Sequence, residues 1–276
     1  MNLANAALSN PAHDEIGDQE FANLGRLIRH RVGLDLSPAR KYLVTGRLGG
    51  RLRALNLRGY GDYLDLLENG CDEMQAAIDL LCTNETWFFR EPEHFAFLRD
   101  HLLAGHNRAT PPRIWSAACS SGEEPYSIAM TLAGRYPDTS WEVLASDIST
   151  KVLNIAKRGV YPLSRGENIP FPLLLEHCRK GIGSCQGTLS LTPQLRERVR
   201  FLQINLNEPL PELGSFDLIF LRNVMIYFDA PTKRRVLQRV IERLRPGGYL
   251  FVGHSEVLHG LTDAVRPVRP AIYRKP

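Results

Sequence analysis

Ile114-Trp115-Ser116-Ala117-Ala118-Cys119-Ser120-Ser121-Gly122-Glu123-Glu124-Pro125-Tyr126-Ser127 is the stretch that decides the fold. An apolar run over 114–119 enters a Ser/Gly turn, and residues 126–135 then follow a helical pattern. A strand passing through a tight turn into a helix opens an α/β unit, whose ligands sit beyond the carboxyl ends of the strands. The same grammar continues downstream. Residues 141–146 read as a second strand ending at Asp147, and 150–157 as a helix. Residues 200–204 and Phe216–Leu221 read as a third and a fourth strand. Asp229 is positioned to cap a helix with Val236, Leu237, Val240, Ile241 and Leu244 on one face. Pro246-Gly247-Gly248 is expected to stop that helix and 249–252 to form a fifth strand. The alternation predicts a parallel, doubly wound sheet.

Two regions depart from this pattern. Between Tyr161 and Arg200 lie a Pro-rich stretch, an apolar patch at 173–175 and Gly181-Ile182-Gly183-Ser184-Cys185-Gln186-Gly187, followed by an alternating run at 188–192. That is too long for a plain βα connection, so an inserted β-subdomain of two or three strands is expected at about 161–200. Upstream, residues 20–83 read as an all-helical domain. Phe21, Leu24, Leu27 and Ile28 share a face, Ser37-Pro38 supplies a helix start, and Val44, Leu48, Leu52 and Leu55 make the next stripe. Gly46, Gly49 and Gly50 each weaken that second helix by about 1 kcal/mol relative to Ala. Short helices are expected at 60–67 and 73–81. The α/β domain then occupies 84–276.

Composition narrows the function classes. The 276 residues are 43% apolar and 23% charged, enough for two domains and unlike a disordered chain. No apolar run approaches the roughly 20 residues that a bilayer crossing needs. Residues 1–20 carry Asp14, Glu15, Asp18 and Glu20, with no Lys or Arg before Arg26, which argues against a secretory or transit peptide. Residues 1–19 are expected to form a flexible tail. Cys71, Cys82, Cys119, Cys178 and Cys185 form no CxxC pair and are odd in number, so reduced thiols in a cytoplasmic protein are expected, with no metal site. A net charge of +4 is too small to imply nucleic-acid binding. The basic residues are concentrated: Arg26, Arg29, Arg31, Arg40, Lys41, Arg47, Arg51, Arg53 and Arg58 face a single acid, Asp35.

The first turn lacks the GxGxxG pattern. Glu123 and Glu124 at its mouth would repel a pyrophosphate but suit a ligand carrying a sulfonium and an ammonium group, which favours S-adenosylmethionine over NAD. Asp147 ends the second strand 25 residues after Gly122, where an acid accepts hydrogen bonds from ribose hydroxyls. A solvated, helix-capping carboxylate would read the same way.

Five segments together resemble the CheR chemoreceptor methyltransferases. They are Thr83-Asn84-Glu85-Thr86-Trp87-Phe88-Phe89-Arg90-Glu91, the turn segment Ser116 to Ser127 quoted above, Ala145-Ser146-Asp147-Ile148, Phe220-Leu221-Arg222-Asn223-Val224-Met225-Ile226-Tyr227-Phe228 and Gly253-His254-Ser255-Glu256. The resemblance implies a Rossmann-like class I methyltransferase sheet with an inserted β-subdomain, preceded by a helical domain. It implies S-adenosylmethionine as cofactor, with S-adenosylhomocysteine as product, held by Asn84, Thr86, Arg90, Glu124, Asp147, Asn205, Leu206, Arg222 and Asn223. Arg90 and Tyr227 match the pair given catalytic roles. It implies that Arg47, Arg51 and Arg53 face the glutamate-rich methylation helices of a receptor, although Gly50 stands where an arginine is common. In some members the insert grips a short aromatic and acidic peptide at the receptor C-terminus, and the loop bearing Gly181, Gly183 and Gly187 is similar in length and glycine spacing. A cytoplasmic monomer is implied.

A glutamate carboxylate is already ionised at neutral pH and needs no general base, so His94 and His254 are given structural roles. Trp87, Phe88 and Phe89 read as packing. A nucleic-acid methyltransferase acting on amino groups would commonly carry an Asn/Asp-Pro-Pro-aromatic motif where Arg222-Asn223-Val224-Met225 stands. Two other readings are an adaptor that has lost catalysis, against which Arg90, Asp147 and Tyr227 argue, and an NAD oxidoreductase, against which the glycine pattern argues.

Overall fold

The computed structural model describes residues 15–105, 111–137 and 141–276. The chain divides into two compact units, Met1–Thr83 and Asn84–Pro276. Of the segment expected as a tail, residues 1–14 lie outside the described residues, and the first helix already begins at Asp18.

The first unit consists of α1 (Asp18–Val32), α2 (Lys41–Ala54), α3 (Tyr60–Asn69) and α4 (Cys71–Leu81). Their apolar stripes meet in one core of Phe21, Leu24, Ile28, Val44, Leu48, Leu52, Tyr63, Leu67 and Ile78, all buried. Leu27 and Leu55 are half-buried at its margin. Burial of that stripe holds α2 helical across its three glycines, where propensity alone would not. Pro38 opens a 3-10 turn, Pro38–Arg40, ahead of α2, and Ser37 makes no side-chain cap.

In the second unit, α5 (Pro92–Phe97) passes through a π-helical turn (Leu98–Leu102) into α6 (Leu103–Gly105). Then come β1 (Ile114–Ser116), α7 (Glu123–Ala133), β2 (Val143–Asp147), α8 (Thr150–Arg158), β3 (Val160–Pro162), α9 (Phe171–His177), β4 (Cys178–Lys180) and β5 (Thr188–Leu191). The chain continues as α10 (Pro193–Arg196), β6 (Val199–Gln203), β7 (Phe216–Leu221), α11 (Ala230–Glu242), β8 (Leu244–Val252), β9 (Arg266–Arg269) and β10 (Ile272–Arg274).

The main sheet has the order β6-β2-β1-β7-β8-β10-β9. Its first five strands are parallel, and β10 runs antiparallel to both β8 and β9. Counted along the chain this is 3-2-1-4-5-7-6, the dinucleotide-binding order with an antiparallel strand slipped in before the last. Alternate residues feed two cores, because successive side chains on a strand point to opposite faces. Ile114, Leu218, Phe220 and Phe251 join Tyr126 and Leu153 on one face. Trp115, Ile219, Leu221 and Leu250 join Val236, Leu237 and Val240 of α11 on the other.

Two readings of the sequence are corrected here. Pro246-Gly247-Gly248 does not stop α11, which ends at Glu242. The tripeptide lies inside β8, at a register shift against β7 between Phe216 and Leu218. The sheet also gains β9 and β10, which the sequence did not announce. Every residue of β9 is exposed, so it carries no apolar alternation to read.

The insert is a three-stranded antiparallel sheet of order β3-β5-β4. Its β4–β5 connection is the Gly181-to-Gly187 loop, closed by Gly181 N donating to Thr188 O at 2.9 Å. A Cβ on Gly181 would stand 2.0 Å from the carbonyl oxygen of Cys185 and 2.4 Å from Thr188 Oγ1, so no other residue fits there.

Candidate active site

The carboxyl ends of β1, β2, β6 and β7 share one edge of the sheet and carry the polar residues singled out in the sequence. After β1 the chain is pinned by Ala117 N donating to Phe220 O and Cys119 N donating to Ser146 O, both at 2.8 Å. Ser120 adopts φ +48, and its N–H donates to Asp147 Oδ2 at 2.8 Å. Ser149 N donates to the other oxygen, Oδ1, at 2.9 Å. Two amides therefore aim the Asp147 carboxylate at the end of β2. Ser120 Oγ donates to the carbonyl of Asn84 at 2.9 Å, bringing the 84–91 segment over the edge.

Gly122 turns the chain into α7 at φ +98, and a Cβ there would lie 2.8 Å from Ala156 Cβ and 3.0 Å from Tyr161 Oη. The glycine is thus demanded by the approach of α8 and of Tyr161.

At the end of β7 the Arg222 side chain, 1% exposed, organises a buried charge network. Nη1 donates to Glu124 Oε2 at 2.9 Å, Nη2 lies 3.0 Å from Glu91 Oε2, and Nη2 also donates to the carbonyl of Arg90 at 2.6 Å. Ser116 Oγ supplies the second donor to Glu124, at 2.7 Å. Burial pushes the Glu124 carboxyl above its ordinary value, opposed by Arg222 and Ser116. Glu124 faces its own arginine, so two acids and one guanidinium leave a single excess negative charge here. Burial likewise raises the Glu123 carboxyl, which Ser121 and Arg165 counter.

Glu256 fixes the loop that follows. Its carboxylate accepts backbone N–H groups from Gly253 (2.7 Å), Asn223 (2.7 Å), Met225 (2.8 Å) and Ile226 (3.3 Å). This holds Asn223 at φ +57 and sets the 3-10 turn Met225–Tyr227 that carries Tyr227. Glu91, itself at φ +58, does similar work from the opposite side: it meets Arg222 and Asn223 and accepts from His254 N at 3.2 Å. Neither glutamate was singled out from sequence as a site residue. The signal available was their place in the two motifs ending Arg90-Glu91 and Ser255-Glu256.

The other expected site residues fall as follows. Arg90 lies with its guanidinium 4.5 Å from the centre of the Trp87 ring and donates from Nη1 to Glu85 O at 2.9 Å. Thr86 is buried, and its carbonyl accepts from Arg165. Asn205 follows β6, with its Oδ1 accepting from Asn207 N at 3.0 Å, and Leu206 beside it is buried. Phe88 is buried edge-on to Tyr161, and Phe89 packs on Phe95. Cys119 is fully buried, and burial with Asp147 and Glu124 nearby pushes its thiol well up, which removes it as a nucleophile. Cys82, Cys178 and Cys185 are also free thiols. His94 is 1% exposed, and burial beside Arg222 pushes its pKa down to about 3, which removes it as a base.

The residues expected to dock substrate belong to the helical unit and to the insert. Arg47 donates to the carbonyls of Leu81 and Cys82 at 2.8 and 3.1 Å, closing the end of α4. Arg51 grips the buried Glu73 with Nε at 2.8 Å from Oε1, and Tyr63 Oη donates to the same oxygen at 2.8 Å. Both arginines already have partners inside their own unit, while Arg53 is exposed.

A sheet of this order, with acids and an arginine gathered at its carboxyl edge, defines a Rossmann-like methyltransferase. Residues 84–273 match the family model described as CheR methyltransferase, SAM binding domain, and residues 19–82 match CheR methyltransferase, all-alpha domain. The chain is 42% identical over 259 residues to chemotaxis protein methyltransferase 2 of Pseudomonas aeruginosa, covering 92% of each chain. It is 43% identical over 247 residues to the chemotaxis protein methyltransferase of Escherichia coli, covering 87% of this chain and 85% of that one. With that of Borreliella burgdorferi it shares 35% identity over 274 residues, covering 94% and 95%. The chain belongs to the CheR methyltransferase family, and its methyl donor is S-adenosylmethionine. No helix among the described residues is long and apolar enough to cross a membrane.

Proposed function

We propose that this protein esterifies glutamate side chains on the methylation helices of bacterial chemoreceptors, acting as a monomer in the cytoplasm. What supports the reading is family membership over both units together with the aimed Asp147 carboxylate and the Arg222 network at the carboxyl edge of the sheet. The edge suits an adenosylated amino acid. Asp147 offers an oriented acceptor for sugar hydroxyls, Leu206 an apolar wall, and Asn84, Thr86, Glu124, Asn205, Arg222 and Asn223 the remaining polar partners.

When bound, S-adenosylmethionine supplies a methyl group on a positively charged sulfur. The protein's own part is to bring a carboxylate to that carbon in line and to exclude water, since opposite charges cancel during attack and solvent would oppose it. No base is required, because a glutamate with pKa ≈ 4.3 arrives ionised. Arg90, steadied on Trp87 and by Glu85, is assigned to hold a carboxylate by paired hydrogen bonds. Tyr227 is assigned to orient the incoming oxygen or the methyl group through its hydroxyl.

Arg90→Ala is expected to abolish transfer of labelled methyl to receptor fragments while the protein stays folded, and Tyr227→Phe to slow it. Near-normal transfer by the Arg90 variant would refute its role. Arg53, the exposed one of the three arginines Arg47, Arg51 and Arg53, is the better candidate for meeting acidic receptor helices. The insert is assigned to a receptor C-terminal peptide, taken up by strand addition, which raises local substrate concentration by tethering. Calorimetric titration with such a peptide, with and without its terminal aromatic residue, tests this. Equal or absent heats for the two would sink it.

A further inference from the structure

Three side chains that are not assigned to touch donor or substrate converge beside Arg222. The ring of His94 is 1% exposed, and neither of its nitrogens has a hydrogen-bond partner. A buried polar atom left unpaired in a native fold calls for a cause, and a missing ion is one of the few available. His94 Nδ1 lies 3.4 Å from Glu91 Oε2. His254 Nε2, from the loop after β8, lies 3.8 Å from the same oxygen. One donor atom from each of the three residues falls within 4.8 Å of the others.

Zinc bonds to such donors at about 2.0–2.2 Å, which sets them roughly 3.3–3.6 Å apart round a tetrahedral ion. Two of the separations are already near that value. The third can close by a small rotation of His254, whose half-exposed ring also opens a path from solvent. Two imidazoles and one carboxylate favour borderline divalent transition ions over magnesium or calcium, which prefer all-oxygen sites. Charge sets the consequence. Glu91 and Glu124 outnumber Arg222 by one, so the pocket tolerates a cation. Yet Arg222 Nη2 stands 3.0 Å from the very Glu91 oxygen that an ion would take.

We propose that Glu91, His94 and His254 form a site for a divalent transition-metal ion of the zinc type, completed by water, and that occupancy inhibits methyl transfer by drawing Glu91 away from Arg222 and Asn223. The inhibitory half rests on the methyltransferase reading, whereas metal binding does not.

Cobalt(II), a spectroscopic stand-in for zinc, is added to the full chain without methyl donor or receptor. Visible ligand-field bands should appear, zinc should bleach them, and magnesium should not. His254→Ala should weaken binding by at least about tenfold, since losing even an outer-shell partner costs 10–100-fold. Cys185→Ser, which removes an exposed thiol, should leave binding unchanged. With donor and receptor fragment present, methylation should then fall in step with zinc occupancy and return on chelation, each variant being compared with its own metal-free rate. Absence of a cobalt spectrum, an unchanged cobalt affinity in the His254 variant, or loss of the spectrum in the Cys185 variant would overturn the site. Binding with unchanged methylation would overturn the inhibitory role. Because the spectrum is recorded without substrates, a chain inactive on receptors would leave the binding result standing.

Discussion

Gly122 shows what a single residue decides. Its φ of +98, and the mere 2.8 Å that would separate an added Cβ from Ala156 Cβ, mean that any side chain must strain the backbone and push α8 away from the sheet edge. Gly122→Ala is expected to cost about 3 kcal/mol, from the left-handed backbone and overpacking together. It should also weaken donor binding, because the same turn orients Asp147 through Ser120. Thermal melting and calorimetry check the two effects, and an unchanged melting temperature would contradict the packing argument. The residue was legible as a turn glycine; the reason for it was not. Ala156, far along the chain, is what excludes a side chain.

The helix pair α2 and α4 shows the element scale. The basic residues of α2 were visible in the sequence as part of a concentration of positive charge, and a solvated or docking face is the natural reading of such a stretch. The partner of Arg51 is Glu73, on another helix, and nothing local reveals that pairing. Hydrogen bonds from Arg51, then from Tyr63, hold the Glu73 carboxyl below its ordinary 4.5, with burial opposing. A carboxyl lowered in the folded state contributes stability that is present above its unfolded value and lost as pH falls through the folded one. Glu73→Gln is therefore expected to destabilise the helical unit at pH 7 by about 1–2 kcal/mol, kept modest because Arg51 is partly exposed to solvent. The difference from the parent should begin to shrink as pH drops below about 4.5, the unfolded range, and be lost as pH falls through the lower folded value. Melting followed by circular dichroism across pH 3–7 tests this, and a gap that widens in acid would contradict it.

For the molecule as a whole, both hydrophobic clusters of the sheet draw every member from residues after Asn84. A fragment spanning 84–276 is therefore expected to melt cooperatively and to bind S-adenosylmethionine by itself. An unfolded fragment would show that its core is not self-sufficient. Receptor methylation by that fragment should fall if exposed Arg53 meets the substrate helices, because donor binding and receptor docking would then reside in different units.

The sequence by itself determined the alternation of strands and helices, the helical unit before it, the insert, the acid ending β2 and the family. Each of these is written in local periodicity or in contiguous motifs. Tertiary structure alone decided which charges neutralise one another. Glu91, Glu124 and Arg222 come from three segments, and only the sheet's crossovers bring them within hydrogen-bonding reach. It likewise decided that Arg47 closes a helix end, that Pro246-Gly247-Gly248 lies within a strand, and that β10 inserts beside β8. The physical reason is common to all of these: burial and Coulomb energy depend on distance in space, and distance along the chain does not fix it.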